Sequence, residues 1–478
     1  MPSLVGSISK GDLPAKKVAA FTLGCKVNQY DTQAMLELFR KRGYQVVDFG
    51  AEADVYLINT CTVTSRSEAK SRQMLRRTIR ENPEAVVAVA GCYAQVAAAE
   101  IWQIPGVDVL IGTQGRHLIV DLVEQAATGK GAPVAQAGAC AAESEPVALS
   151  DAGIAKAEMR PGGTDLGQTT AFEELPIFRF TGRTRAAVKV QEGCNQFCSY
   201  CLVPFARGRS RSRHPGAVKD EVLRLAEAGF KEVVLTGIHL GAYGNDLDGT
   251  TDLAGLVEGI LDIPGLQRIR LSSIEPLEVS PKLIQLMARE EKLCRHLHIP
   301  LQSGCDQVLA RMNRRYGTGQ YSEILEQVRR AIPEVGISTD VMVGFPGETE
   351  EEFRASSNFV REMAFSRVHV FPYSRRPGTR AASFPGQLPR AVKEERSREL
   401  LGLAEQLALD FHRRYLDRVV SVLVEEGRER TGWLEGLTDN YLRVMFPGGN
   451  EQANQVRDVL VTAADREGAR GCLQDSPP

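Results

Sequence analysis

Apolar runs alternate with helical patterns through the first quarter of the chain. Three runs are short and continuously apolar, as strands buried on both faces of a parallel sheet are: VAAFTLG, DVYLIN and AVVAVAG. Between them, QAMLELFRKRG and SRQMLRRTIREN carry apolar residues at helical spacing. The alternation predicts a doubly wound parallel α/β domain over residues 15–125.

A strand-then-helix unit recurs six times between residues 176 and 411. The predicted strands are AAVKVQ, KEVVLTG, QRIRLSS, HLHIPL, ISTDVMVG and SRVHVFP. Helical segments such as KDEVLRLAEAGF and YSEILEQVRRAI follow most of them. Six such units predict a partial (β/α)6 barrel, related to the eight-unit barrel whose chemistry lies at the C-terminal ends of the strands.

Two further segments complete the predicted organisation. Residues 126–175 are rich in Ala, Gly, Ser and Glu without periodicity, which indicates a linker; we interpret Cys140 within it as an incidental thiol. Residues 412–478 contain short apolar runs separated by Gly, Asn and Asp turns: VVSVLVEE, YLRVMFP and QVRDVLVTAA. They predict a small all-β barrel, so we expect an α/β protein of three domains.

Composition excludes several classes of protein. The 478 residues are 43% hydrophobic with a net charge of −2, which is typical of a globular protein and gives no global sign of nucleic-acid binding. No stretch approaches the ~20 apolar residues of a membrane span, and the N-terminus lacks a signal-peptide core, so we expect a cytoplasmic protein without a membrane partner. Ten cysteines are too sparse for a disulfide scaffold, which leaves metal-binding or catalytic roles.

Cys194, Cys198 and Cys201 form a C-x3-C-x2-C run directly after the strand AAVKVQ. Three thiolates this close can bind three corners of a cubane iron–sulfur cluster. Without a fourth cysteine, one iron stays open and can chelate a substrate, as catalytic metal sites require. The alternatives are three structural thiols or a zinc site, although zinc sites favour paired C-x2-C spacings and only His214 lies nearby.

Three more cysteines each follow one apolar strand of the first domain. Cys25 follows FTLG, Cys61 follows LINT and Cys92 follows AVAG. Because the carboxyl ends of parallel strands open on one crevice, the three thiols can converge on a shared metal that could hold or transfer sulfur. The alternative is that small, apolar-like cysteines finish three buried strands.

The segments around both cysteine sets resemble the radical S-adenosylmethionine methylthiotransferases. The matching segments are GCNQFCSYCLVPFARGRSRSR, LGCKVNQYDT, NTCTVTSRSE, AGCYAQ, HIPLQSG and VGFPGETEEEF, and the resemblance covers nearly the whole chain except the linker. It implies a methylthiotransferase domain (15–125), a radical core (176–411) and a TRAM domain (412–478). It also implies one [4Fe-4S] cluster on Cys25, Cys61 and Cys92, and another on Cys194, Cys198 and Cys201.

The same resemblance implies a mechanism with two uses of S-adenosylmethionine. One molecule gives its methyl group to sulfur at the first cluster. Another fills the open iron of the second cluster, where an electron cleaves it to a deoxyadenosyl radical. An aromatic C–H bond has no acidic proton, so acid–base residues alone could not activate it.

Members of the family differ in substrate: isopentenyladenosine in tRNA, threonylcarbamoyladenosine in tRNA, or an aspartate of ribosomal protein S12. LGCKVNQYDT resembles the bacterial threonylcarbamoyladenosine branch, which implies methylthiolation at C2 of N6-threonylcarbamoyladenosine at position 37 of tRNA. The implied partners are tRNA, a flavodoxin- or ferredoxin-like reductant and a sulfur source. The other two substrates stay open, as does an iron–sulfur electron-transfer or sensor protein that binds RNA.

Polar residues, one glycine and one aromatic residue near the predicted strand ends are candidates for the S-adenosylmethionine pocket. They are Tyr200, Gly237, Ser272, Gln302 and Asp340. Tyr200 would present its ring beside the adenine. Ordinary loop structure explains any single one of them equally well.

Charge is patterned locally. Residues 176–215 contain eight basic residues and one acidic residue, a net charge of +7 that could neutralise phosphates. The candidate RNA-binding residues there are Arg183, Arg185, Arg207, Arg209, Arg211 and Arg213. Residues 421–478 carry six arginines against ten acidic residues, so we predict that the C-terminal barrel orients RNA while the arginines supply more affinity. A second basic run, residues 66–80, is interpreted as an amphipathic helix exterior at least as readily as an RNA surface.

Overall fold

The computed structural model describes residues 15–128, 134–135, 166, 169, 171–175, 177, 184–249, 251–425 and 432–474. Cys140, Arg183 and most of the predicted linker lie outside these residues. The chain divides into two compact units, one of residues 1–62 and 66–165 and one of residues 63–65 and 166–478. Among the described residues, no helix combines the length and apolar character needed to cross a membrane.

The first unit contains one parallel sheet with strand order β2-β1-β3-β4-β5-β6. Its strands are β1 (Lys17–Thr22), β2 (Gln45–Val47), β3 (Val55–Thr60), β4 (Val86–Gly91), β5 (Val109–Leu110) and β6 (Val134–Ala135). Its helices are α1 (Lys26–Lys41), α2 (Ser65–Glu81), α3 (Cys92–Val96), α4 (Ala98–Trp102) and α5 (Ile119–Thr128). Every residue of β3 is buried, as its continuous apolar run predicts, and the expected doubly wound α/β fold is confirmed.

The strand order of this sheet reverses between β1 and β3. The chain moves from β1 outward to β2 and then returns to the other side of β1 for β3, β4 and β5. In open α/β sheets the ligand crevice lies at such a reversal, outside the carboxyl ends of the strands. Cys25 follows β1 and Cys61 follows β3, so two of the predicted ligands flank this crevice.

The second unit begins with six parallel strands in two sheets, β11-β10-β7 and β12-β13-β14, which isolated bridges join at Ile269–Leu293 and Ser273–His298. The strands are β7 (Arg185–Lys189), β10 (Glu232–Thr236), β11 (Arg268–Leu271), β12 (His296–His298), β13 (Gly336–Val343) and β14 (Arg367–Pro372), with β8 (Gln191–Glu192) and β9 (Arg211–Ser212) forming a small ladder. The helices are α6 (Val203–Arg207), α7 (Pro215–Glu227), α8 (Leu253–Glu258), α9 (Pro281–Arg289), α10 (Asp306–Arg311), α11 (Thr318–Ala331) and α12 (Glu350–Glu362). The six-stranded partial barrel that the sequence predicts is confirmed.

Alternation along β13 defines the inner face of this half-barrel. The Thr339 hydroxyl lies 3.3 Å from the hydroxyl of Tyr321 on helix α11, so Thr339 faces the outer helices. Its neighbours Asp340 and Met342 have the opposite parity and therefore face inward. Met342 belongs to a buried apolar cluster against which Tyr200 of the cysteine loop packs.

Helix α13 (Arg390–Arg413) leads into a closed five-stranded barrel of order β15-β16-β17-β19-β18. The strands are β15 (Val419–Val424), β16 (Trp433–Thr438), β17 (Arg443–Pro447), β18 (Val456–Ala464) and β19 (Ala469–Leu473). Inward residues such as Val422, Val444, Phe446 and Val459 are wholly buried in one core. The predicted small β-barrel is confirmed.

This barrel packs against the N-terminal ends of the half-barrel strands. Arg268 donates to the Leu437 carbonyl at 2.9 Å, and Arg270 donates to the Thr438 carbonyl at 2.9 Å. Arg270 also binds Glu232 at 2.7 Å with both side chains fully buried, and it lies over the ring of Tyr441 at 4.7 Å. Burial alone would raise the pKa of Glu232, but the guanidinium groups beside it lower that pKa below its ordinary value. The small barrel therefore lies at the end of the strands opposite the cysteine loop, roughly 15 Å along a five-residue strand.

Candidate functional site

Cys25, Cys61 and Cys92 lie at the carboxyl ends of three adjacent strands, β1, β3 and β4. Cys25 is exposed and caps the N-terminus of α1, whereas Cys61 and Cys92 are 4% and 7% exposed. Gly24, directly before Cys25, packs closely against Cys61: a Cβ at Gly24 would lie 3.0 Å from the Cys61 sulfur, and its φ of +104° favours glycine. The sequence prediction that these thiols share one edge of the sheet agrees with this placement.

Asn28, in the first turn of α1, ties the three strand ends together. Its buried side-chain amide donates to the carbonyls of Leu23, at 2.7 Å, and Thr60, at 2.9 Å. The Cys92 thiol lies 3.9 Å from its side-chain oxygen. One amide thus holds the end of β1, the end of β3 and the thiol that follows β4, and sequence reasoning missed it because nothing local marks Asn28 as a bridge.

Glycine also shapes the approach to Cys92. Gly91 has a φ of +98°, and a Cβ at this position would lie 2.2 Å from the side-chain oxygen of Asn59. The Asn59 amide in turn donates to the Asn28 carbonyl at 2.9 Å. The donor set, three thiols at one crevice with ordered polar residues behind them, fits a cubane cluster with one open iron.

The second cysteine set lies on the loop after β7 and β8, at the carboxyl end of the half-barrel. Gly193 has a φ of +74°, and a Cβ there would lie 1.9 Å from the Arg209 carbonyl. Phe197, between the first two cysteines, also adopts a left-handed conformation, with φ +48°. A Cys201 N–H to Cys198 carbonyl bond of 3.0 Å closes the last turn, so the loop curls back on itself.

Hydrogen-bond donors point at each sulfur of this loop. The backbone N–H groups of Gln196 and Val203 lie 3.4 Å from the sulfurs of Cys194 and Cys201 respectively. Burial, reinforced by the neighbouring Cys198 thiol, raises the pKa of Cys201 to about 12. Thiolates in such a pocket need compensating positive charge, which a bound cluster provides. The loop therefore fits an iron–sulfur cluster, whose sulfurs are commonly tuned by such hydrogen bonds.

Arg314 places a positive charge beside this loop, and the sequence analysis did not identify it. Its guanidinium donates to the Cys198 sulfur at 3.3 Å and also binds the carboxylate of Glu275. It lies over the ring of Tyr316 with a separation of 4.9 Å. Arg314 follows α10, more than a hundred residues from the loop, so no spacing rule could connect them.

His239, three residues after the end of strand β10, also lies beside the loop. Its Nε2 is 2.6 Å from the carboxylate of Glu278. Burial alone would lower the pKa of His239, but hydrogen bonds to Cys194 and Glu278 outweigh burial and raise it to about 10. The imidazole is thus held between Cys194 and Glu278.

The predicted S-adenosylmethionine residues occupy two levels of the half-barrel. Gly237 and Ser272 come directly after β10 and β11, and the buried Ser272 hydroxyl has no hydrogen-bond partner among the described residues. Gln302 has a φ of +66° and pairs through its backbone with β13. Tyr200 packs edge-on against Phe345, with ring centroids 6.4 Å apart. These four lie near the carboxyl ends of the strands, where a ligand of the cysteine loop would contact them.

Asp340 departs from that expectation because it lies inside β13, three residues before the strand ends. Its carboxylate is 3.2 Å from His298 on β12, and it pairs across the sheet with His369 on β14. The ligand atoms of these three side chains all lie within 4.8 Å of one another. They form a polar group on the inner face of the half-barrel, below the level of the cysteine loop.

Burial argues against most of the predicted RNA-binding arginine patch. Arg207, Arg211 and Arg213 are at most 1% exposed. Arg207 binds Glu192, and Arg213 binds both Glu174 and Glu221. Arg211 instead donates to the Arg207 and Arg209 carbonyls, and burial keeps all three guanidinium groups from meeting phosphates.

Two further members of the patch have separate outcomes. Arg185 lies at the N-terminal end of β7, where it binds Glu425 of the small barrel at 2.7 Å. It therefore joins the two parts of this unit and faces away from the cysteine loop. Arg209 alone among the described members is exposed, and Arg183 lies outside the described residues.

Comparison with known proteins gives matches over nearly the whole chain. Residues 17–112 match the uncharacterized protein family UPF0004, and residues 188–360 match the radical SAM superfamily. The chain is 42% identical over 450 residues to the threonylcarbamoyladenosine tRNA methylthiotransferase MtaB of Bacillus subtilis (strain 168), with 94% of each chain covered. It is 35% identical over 457 residues to the tRNA-2-methylthio-N(6)-dimethylallyladenosine synthase of Pelotomaculum thermopropionicum, with 94% of this chain and 96% of the relative covered.

A solved structure shares the fold at low sequence identity. The radical S-adenosylmethionine methyltransferase TsrM of Kitasatospora setae superposes with a TM-score of 0.54, at 16% identity, over 88% of this chain and 81% of that one. At this identity the likeness concerns the fold alone. It agrees with the parallel half-barrel described above.

Proposed function

Because this chain belongs to the radical S-adenosylmethionine methylthiotransferase family, we propose that it adds a methylthio group at C2 of N6-threonylcarbamoyladenosine at position 37 of tRNA. The observation that carries the proposal is the placement of Cys25, Cys61 and Cys92 at the carboxyl ends of three adjacent parallel strands, whose ends Asn28 links, as a second set of thiols besides Cys194, Cys198 and Cys201. A radical enzyme that only cleaves S-adenosylmethionine needs one cluster. A second set of thiols with an open position suits the delivery of sulfur.

The residues of the half-barrel have defined roles in this proposal. Cys194, Cys198 and Cys201 would hold a [4Fe-4S] cluster, which supplies the electron that cleaves S-adenosylmethionine. Arg314 places positive charge beside Cys198, which favours the more negative, reduced state of a cluster bound there.

The pocket for S-adenosylmethionine lies at the same end of the strands. Gly237 lets its loop pack closely on Gln191, whose side chain would lie 2.9 Å from a Cβ at this position, and the unpartnered Ser272 hydroxyl offers a ligand a hydrogen bond. Gln302 and the ring of Tyr200 complete the proposed pocket. Excluding water here would protect a reactive radical from side reactions.

In the first unit, Cys25, Cys61 and Cys92 would hold the other cluster, whose open iron would carry the sulfur to be methylated and transferred. Asn28 fixes the spacing of the thiols through two strand-end carbonyls. The exposure of Cys25 leaves one side of the site accessible to substrate. A sulfur source and a flavodoxin- or ferredoxin-like reductant are then required as partners.

The choice of threonylcarbamoyladenosine rests on two supports. The relative named for this nucleoside is 42% identical to the chain, whereas the relative named for dimethylallyladenosine is 35% identical. In addition, His298, Asp340 and His369 make the interior of the half-barrel polar. Polar side chains here suit the hydroxyl and carboxylate of a threonylcarbamoyl group better than an apolar dimethylallyl group, which can form no hydrogen bond with them.

The test uses anaerobically reconstituted protein and tRNA that carries either N6-threonylcarbamoyladenosine or N6-dimethylallyladenosine. We expect mass spectrometry to detect the methylthio product of the first nucleoside only. Cys61→Ser should still form deoxyadenosine but no methylthio product, and Cys198→Ser should form neither. A product only on dimethylallyladenosine would overturn the substrate, and absence of deoxyadenosine from the parent enzyme under strong reductant would overturn the radical chemistry.

A further inference from the structure

The exposed side of helix α2 is a continuous cationic stripe. Seven residues form it: Arg66, Ala69, Lys70, Gln73, Arg76, Arg77 and Arg80, all of them exposed. At 100° per residue they fall within an arc of roughly 120°, and they extend for about 21 Å along the helix. The opposite side buries Ser71, Leu75 and Thr78 against the sheet, so the orientation of the stripe is fixed by packing.

Much of this positive charge is available to a ligand. Arg66, Lys70 and Arg76 form no ion pair within the described part of the chain, and their neighbours carry no compensating acid on the same side. Arg77 binds Glu81 but keeps 62% of its side chain exposed, and Arg80 keeps 76%. Three charges of the stripe have no ion pair among the described residues, and the two that share Glu81 stay mostly solvated, so most of the stripe has no structural role of its own in holding the fold.

The side chains also shape a recess. Ala69, Arg72, Gln73, Arg76, Arg77 and Arg80 line a depression of about 460 Å³ on the helix surface. Arg72, at its edge, is held by hydrogen bonds to Tyr93 at 2.6 Å and to Glu100 at 2.9 Å. Guanidinium groups arranged along a shallow depression match the regularly spaced, ionised phosphate groups of a phosphodiester backbone.

The stripe begins at the edge of the sheet where the cysteines lie. Helix α2 starts at Ser65, four residues after Cys61, and runs back along the sheet from there. A polyanion bound along it would therefore have one end at the proposed sulfur-transfer site. This geometry favours RNA over an acidic protein, because the nucleotide that receives sulfur must itself reach that edge.

We propose that the cationic stripe of α2 binds the phosphate backbone of the tRNA substrate and leads the substrate nucleotide toward Cys25, Cys61 and Cys92. The inference rests on the proposed function for the identity of the RNA. It also replaces the predicted arginine patch, in which three of the five described members are buried. Phosphate contacts of this kind fix position without reading sequence.

The test compares the full-length reconstituted enzyme with the triple variant Arg66→Gln/Lys70→Gln/Arg76→Gln. Affinity for a fluorescein-labelled anticodon stem-loop RNA is measured by anisotropy across a salt series. Loss of three phosphate contacts should reduce the slope of log K against log salt by about 2 to 3, since each contact contributes about 0.7 to 0.9. At ~0.1 M salt the variant should bind between about 10-fold and 100-fold more weakly.

A matched control removes three positive charges from the opposite edge of the same sheet, as Lys16→Gln/Lys17→Gln/Lys41→Gln. It should leave the salt slope unchanged and the affinity within about twofold. Iron content and RNA-independent deoxyadenosine formation, unchanged in both variants, establish that the fold and the radical chemistry are intact. Because binding is measured without turnover, this result stands apart from whether the methylthio product forms.

Three outcomes would overturn the proposal. The first is an unchanged salt slope in the stripe variant. The second is an equal loss in stripe and control variants, which would indicate only a general effect of net charge. The third is unchanged RNA affinity together with slower reduction by a flavodoxin, which would assign the stripe to an acidic protein partner.

Discussion

Replacing Asn28 by leucine should empty one cysteine site and spare the other. The substitution keeps the volume but removes the amide that donates to the Leu23 and Thr60 carbonyls at 2.7 and 2.9 Å. Leaving a buried acceptor without its donor costs about 1–3 kcal/mol, so two acceptors give about 2–6 kcal/mol. We expect a loss of stability of this size to loosen the ends of β1 and β3, to move Cys25 away from Cys61 and so to lower the affinity of the site for a cluster.

The assay is iron and acid-labile sulfide per chain after anaerobic reconstitution. We expect a fall from about eight to about four iron atoms, with deoxyadenosine formation retained because Cys194, Cys198 and Cys201 are untouched. The control is Asn440→Leu, which removes a 3%-exposed amide that donates to the Tyr415 hydroxyl and the Glu334 carbonyl in the second unit. Full iron content in the Asn28 variant, or an equal loss in the Asn440 variant, would refute this reasoning.

Three further substitutions test the second unit. Arg314→Met removes a cation 3.3 Å from the Cys198 sulfur. A redox titration should then show that the reduction potential of the cluster on this loop falls by on the order of 100 mV, and an unchanged or higher potential would contradict this role. Arg270→Met removes the ion-pair partner of the buried Glu232 carboxylate and should lower the free energy of unfolding in urea by about 3–5 kcal/mol. The double variant Glu232→Gln/Arg270→Met should recover most of that stability, and equal losses in the single and double variants would contradict this role. His369→Leu should raise KM for threonylcarbamoyladenosine tRNA about tenfold while RNA-independent deoxyadenosine formation is unchanged, and an unaltered KM would exclude it from substrate binding.

The fold was predictable where the pattern of the chain is local and strong. Continuous apolar runs such as residues 55–60 become buried strands, and the alternation of strands with helices leaves few ways to arrange a parallel sheet. The two-residue strands β5 and β6 carry too short a pattern to be recognised. The placement of the three separate cysteines along one edge of the sheet was also predictable, because the carboxyl ends of parallel strands share one edge.

The residues that support each site were not predictable because their partners come from distant parts of the chain. Asn28 matters through carbonyls that belong to two different strand ends. Arg314 reaches the Cys198 sulfur across 116 positions of sequence. In both cases the side chain has no distinctive spacing, and only the folded topology gives it a role.

The arginines of residues 207–213 show why a local charge count fails where a helical period succeeds. Arg207 is neutralised by Glu192, 15 positions away, and Arg213 by Glu221 and Glu174, which are 8 and 39 positions away. A buried guanidinium requires a partner, so a dense run of arginines on a folded loop is as compatible with internal ion pairs as with an exposed patch. On α2 the burial of every third or fourth residue fixes which side faces solvent, and the basic residues lie on that side. The positive charge that RNA can meet is therefore better located by periodicity than by the density of basic residues.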